Sequence, residues 1–64
     1  MTKQVERYYY FDEETRTVFH SETLEERPDL IFLGSSLNTN IRMTASVMVK
    51  QLNSPSGYKI KPLY

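Results

Sequence analysis

The chain has no cysteine and no tryptophan, one histidine, two glycines and three prolines among its 64 residues. Without cysteine there is no disulfide, and the lone imidazole, His20, is too little for the usual zinc clusters. Both common staples of small domains are therefore missing, and a domain below about 70–80 residues seldom draws more than a few kcal/mol from its core alone. No uninterrupted apolar run exceeds four residues, far short of the roughly 20 that span a bilayer. Met-Thr-Lys-Gln-Val-Glu opens no apolar signal core. Together with the missing cysteine, this leads us to expect a cytoplasmic, non-membrane protein. Acid is missing too, but only from part of the chain. All eight Asp and Glu residues lie at or before Asp29, and the following 35 positions carry none.

The basic residues are spread evenly, so residues 1–32 carry a net −4 and residues 33–64 a net +4, beneath an overall charge of zero. Such asymmetry points to partner binding without naming the partner. What the chain does have is aromatic bulk: five tyrosines and three phenylalanines, each able to bury a large area.

Residues 5–11, Val-Glu-Arg-Tyr-Tyr-Tyr-Phe, favour a strand. Asp12–Thr15 is a polar turn, and Arg16–Ser21 reads as the returning strand of a β-hairpin. A three-residue loop pairs Tyr9 with Phe19 and Tyr10 with Val18; a four-residue loop pairs Tyr10 with Phe19 and Phe11 with Val18. The choice matters because a one-residue slip moves every side chain to the other face. Ser21–Asp29 is an acidic connection, in which Thr23 and Glu26 match a capping box for one helical turn before Pro28. Leu30–Leu33 lacks polar alternation, the pattern of a central strand buried on both faces.

Gly34 ends that strand, and Ser35, Ser36, Asn38 and Asn40 are all suited to cap a helix. Leu37, Ile41, Ala45, Met48 and Leu52 share one helical face, which predicts a helix over residues 38–52 ending at Asn53–Gly57. Tyr58–Lys61 alternates as a last strand, which Pro62 confines to an edge or terminates. The order is β-β-β-α-β. The expected fold is α+β, a single domain over residues 1–64 with a three- to four-stranded, mainly antiparallel sheet and one helix on one face.

No catalytic constellation stands out. His20 has no nucleophile near it in sequence, and Glu13, Glu14, Glu25 and Glu26 belong to polar loops where carboxylates keep ordinary pKa values. We expect neither an enzyme nor a bound metal or cofactor. The strand-to-helix junction at Gly34–Asn40 could face an anion, but one glycine and no Walker lysine make ordinary capping the simpler reading.

Three surfaces remain. The acids Asp12, Glu13 and Glu14 at the hairpin tip, with Glu22, Glu25 and Glu26 in the connection, could serve solubility or meet a basic site on another protein. Met43 and Val47 stand opposite the apolar stripe of the helix, one turn apart, and form a ridge suited to a second subunit or another protein. The third surface rests on the alternation of Tyr8–Phe11: one helix covers one face, so Tyr8 and Tyr10 would face solvent on the other. There, with Lys59 and Lys61, they could stack and track single-stranded nucleic acid.

In outline the tyrosine-rich hairpin, third strand and helix over residues 8–52 resemble the arm-binding N-terminal domains of phage-type integrases, through Tyr8–Phe11, the Asp12–Thr15 turn and the topology. That resemblance implies DNA binding. The chain departs from it in charge, since those domains are strongly basic. The basic residues here divide between helix and sheet rather than forming the single stripe that phosphates need. The leading expectation is a non-enzymatic protein-interaction domain, a small phage-type or accessory regulator that binds a host protein through its acidic loops, its Tyr-rich sheet face or an exposed strand, either alone or as a homodimer. A partner with a basic site suits the acidic loops. A nucleic-acid-binding module is the alternative.

Overall fold

The computed structural model of the chain describes residues 5–52 and 57–64. Strands β1 (Arg7–Asp12), β2 (Thr17–Ser21) and β3 (Ile31–Ser36) are followed by helix α1 (Ile41–Lys50) and strand β4 (Lys59–Pro62). They form one four-stranded sheet in the order β3-β1-β2-β4 with α1 on one face, an α+β domain as the pattern predicts.

β1 and β2 are the antiparallel hairpin, in the four-residue register: Tyr10 faces Phe19, Phe11 faces Val18 and Asp12 faces Thr17. The loop closes with Arg16 at φ +53°, a left-handed conformation usually given to glycine or asparagine. Glu14 N donates to Asp12 Oδ1 at 3.0 Å, tightening the entry to the turn. This register sends Tyr9, Phe11, Val18 and His20 to the helix side, and Tyr8, Tyr10 and Phe19 to the other.

On the helix side, Tyr9, Phe11, Val18, Ala45 and Val49 form the buried core, flanked by Leu33, Ile41, Met48, Leu52, Tyr58 and Ile60. β4 pairs parallel with β2, Val18 against Ile60. Tyr58 and Ile60 therefore join the core while Lys59 and Lys61 lie on the opposite face, as their alternation requires.

Four expectations need correction. Leu30–Leu33 is not a central strand: β3 is an edge, and Ile31 and Phe32 are exposed. β2 and β3 both run antiparallel to β1 and flank it. The connection between them must therefore cross β1, and it takes the face that α1 leaves open. Secondly, Thr23 and Glu26 cap no helical turn. The connection stays irregular, with Thr23 N donating to Ser21 Oγ (3.1 Å) and Thr23 Oγ1 donating to Glu25 Oε2 (2.6 Å).

Thirdly, the helix is shorter than residues 38–52. Asn38 Oδ1 accepts from Asn40 N at 2.8 Å, and Asn40 Oδ1 accepts from Met43 N at 3.1 Å, so Asn40 caps it. Leu37 falls before the cap and is half exposed, whereas Leu52 still packs on the core just past the last turn. The expected stop at residues 53–56 lies outside the described residues. Lastly, Tyr10 is buried, because the crossing connection lies on it.

Candidate functional site

Tyr10 shows how the connection is held. Its hydroxyl donates to the Glu25 carbonyl at 3.0 Å and accepts from Glu25 N at 2.7 Å. Its ring tilts against Phe32 with centroids 5.4 Å apart. Leu30, the last residue of the crossing, is buried, while Leu24 stays exposed. A polar segment is thus anchored by one side-chain hydroxyl and one leucine rather than by an apolar stripe.

The aromatic face expected to be open is therefore largely covered. Tyr8 remains half buried, and its hydroxyl donates to Glu6 Oε1 at 3.1 Å, which pushes the phenol pKa up. Ser35 Oγ donates to the other oxygen of the same carboxylate at 2.8 Å. Lys59 and Lys61 are exposed on this face but belong to β4, with β2 between them and the β1 tyrosines. Among Tyr8, Tyr10, Lys59 and Lys61, the fold brings no exposed ring beside a cation stripe.

The crossing also rearranges the acids. It starts beside Arg7, where Arg7 Nη2 lies 3.4 Å from Glu22 Oε1, and ends beside the hairpin tip. Glu25 sits midway, where the hydroxyls of Thr23 and Tyr64 hold its carboxyl below the ordinary range, and Glu26 is exposed. Asp29 arrives at the tip. With Asp12, Glu13 and Glu14 it rims a depression of about 310 Å³ that also has Phe11 and Ile31 in its wall. Arg27 donates to both oxygens of Asp29 through Nε (3.0 Å) and Nη2 (2.9 Å), and this fork holds the Asp29 carboxyl below its usual range. Among the described residues, Asp12, Glu13 and Glu14 have no cation within 4 Å.

The sequence placed the acids in two groups, one at the hairpin tip and one in the connection after β2. The structure instead gathers four acids at one end and strings the others along the crossing. Asp29 was missed as a tip residue because only the path of the connection brings it there.

At the other end of the sheet, Arg7, His20, Ser21, Glu22, Thr23, Pro62 and Tyr64 line a cleft of about 360 Å³. Burial, and then the nearby Arg7 charge, hold the His20 imidazole below its ordinary pKa. Ser21 Oγ and Thr23 Oγ1 are 3.3 Å apart and bond each other, and neither is bonded to His20. His20 Nδ1 has no hydrogen-bond partner among the described residues. No group of three His, Asp or Glu side chains among the described residues is placed to hold a metal.

The helix ridge is present and exposed: Met43 and Val47 are 50% and 55% accessible. Neither points straight away from the sheet. Both border a groove of about 300 Å³ shared with Ser35 and Ser36 of β3 and with Asn38, Thr44, Met48 and Gln51.

No family model matches this chain, and no curated protein or solved structure is significantly similar to it. No helix among the described residues is long and apolar enough to cross a membrane.

Proposed function

We propose that this chain is a non-enzymatic protein-interaction domain whose acidic end engages a basic site on another protein. The observation that carries the reading is the convergence of Asp12, Glu13, Glu14 and Asp29 around one depression, three of them without a cation within reach among the described residues. Carboxylates gathered in this way raise the local negative potential, which steers a basic partner and fixes its orientation. The neighbouring Ile31, which is exposed, supplies apolar surface that charge alone lacks. Nucleic acid fits less well, because the ring of Tyr10 is buried, Tyr8 is bonded to a carboxylate and the acidic crossing overlies the sheet. As a class of protein, a small accessory regulator acting in the reducing cytoplasm suits this size and composition.

The test is affinity capture from nuclease-treated extract with the tagged chain, beside the variant Asp12→Asn/Glu13→Gln/Glu14→Gln. The expected result is a discrete basic protein that the natural chain retains, that salt releases and that the variant loses, since exposed charge pairs are screened within about 10 Å at 0.1 M salt. Equal retention by the variant overturns the reading. So does low-salt retention of nucleic acid that the variant strengthens.

A further inference from the structure

The connection between β2 and β3 is bonded to itself more firmly than to the sheet beneath it. Within it, Thr23 Oγ1 donates to Glu25 Oε2 at 2.6 Å and Leu30 N donates to the Arg27 carbonyl at 3.0 Å. The Arg27 guanidinium holds both oxygens of Asp29. Its two ends are fixed, because Ser21 and Leu30 are buried where β2 stops and β3 begins. Of the eight residues between them, seven are exposed and only Glu25 is half buried. Leu24 is 65% accessible, so residues 22–29 bury no apolar side chain.

The bonds that cross to the sheet are few. Arg7 and Glu22 meet at 3.4 Å, with the Glu22 side chain 62% exposed. The Tyr64 hydroxyl that meets the Glu25 carboxylate belongs to a side chain open to solvent. Exposed polar pairs of this kind add little stability. The two remaining bonds, to Glu25 O and from Glu25 N, both end on one buried atom, Tyr10 Oη. The strands below are secured independently, since β1 is paired along both of its sides and packs on the core with its other face.

We propose that residues 22–29 form a strap that lifts from the sheet as one unit, turning at Ser21 and Leu30, with the Tyr10 hydroxyl as its latch. Sheet and helix stay folded in the open state. Segments with few buried apolar contacts and solvent-exposed bonds open well below the free energy of global unfolding, and the bonds inside the strap travel with it. Opening changes what this face presents. Closed, it shows a segment with four acids, Glu22, Glu25, Glu26 and Asp29, against the single base Arg27. Beneath it, Phe32, Tyr10, Phe19 and Lys61 stand in register across all four strands. Phe32 is exposed and Phe19 half buried, so Tyr10 is the covered centre of an aromatic row. Lifting the strap completes that row beside a lysine. One phenol thus switches the face between an acidic cover and an aromatic surface.

Hydrogen exchange of the full chain in low urea tests this. The Glu25 amide should be protected, yet exchange faster than the bonded amides of β1 and β2 and at a rate that urea hardly changes. The β1 and β2 amides should speed up with urea, because global unfolding exposes far more surface. Tyr10→Phe keeps the ring and removes the latch; with its fold established by circular dichroism, it should speed Glu25 exchange by about tenfold. Tyrosine nitration, mapped by mass spectrometry on the natural chain, gives a second readout. Tyr9 and Tyr10 are 0% and 2% accessible, but the strap covers only Tyr10, which should react about tenfold faster or more. The inference is overturned by an unprotected Glu25 amide in the natural chain or by Glu25 exchange that rises with urea as steeply as that of β1. A Glu25 rate unchanged in Tyr10→Phe, or equal nitration of Tyr9 and Tyr10, would overturn it as well.

Discussion

Tyr9 and Tyr10 are neighbours in sequence and almost equally buried, at 0% and 2% accessible, yet their hydroxyls stand in opposite situations. Tyr10 bonds both backbone groups of Glu25, while Tyr9 Oη has no partner among the described residues. Leaving a buried donor or acceptor unsatisfied costs about 1–3 kcal/mol, whereas removing an already unpaired polar atom costs little. Tyr10→Phe should therefore lose about 1–2 kcal/mol in urea unfolding, and Tyr9→Phe should match or exceed the natural chain. His20 adds a pH dependence. Its imidazole is held below the ordinary 6.5 by burial and by Arg7, so the unfolded chain takes up the proton at higher pH than the folded one. Its contribution to stability is complete above pH 6.5 and declines as pH falls through the lower folded value. Unfolding midpoints on either side of pH 6.5 should show this slope in the natural chain and a shallower one in His20→Gln. Free carboxylates titrate near 4 and do not interfere.

At the scale of elements, the hairpin, the helix and the last strand could be read from alternation and from the helical stripe. The hairpin register could not. A glycine or asparagine at the last loop position would have announced a left-handed residue, but arginine occupies it at φ +53°, so the loop length left no trace in residue type. Gly34 is the opposite case. It ends the bulge at φ +135° with only ordinary contact to Met48 available to a new side chain. Space is not the obstacle to replacement; the backbone is. Gly34→Ala should cost about 1–3 kcal/mol of strain, read as a lower urea midpoint with an unchanged m-value. The helix start was equally hidden, because four candidate caps precede it. Asn40 is the one that bonds an N–H of the first turn, and Ser36 and Asn38 instead hold the approach to it.

At the scale of the whole molecule, the crossing from β2 to β3 decides most of what the surface offers. It buries Tyr10, carries Asp29 to the hairpin tip and leaves β3 at an edge. Asp12, Glu13 and Glu14 have no described cation to lose, and surface changes of this kind usually stay within about 0.5 kcal/mol. The acid-neutralised variant should therefore unfold at nearly the same urea concentration as the natural chain, so that any loss of binding reports on charge rather than on folding.

By itself, the sequence determined the element order, the shared face of Tyr58 and Ile60 opposite Lys59 and Lys61, and the uneven distribution of charge. Those properties follow from local spacing: alternation along strands, a stripe along a helix, and acids that stop at Asp29. Only the tertiary structure decided which strand lies at the edge, which tyrosine is covered and which acids meet. Those depend on the path of a polar connection held by a hydroxyl and one leucine. No periodicity records such a path, because its contacts join residues fifteen apart, between Tyr10 and Glu25.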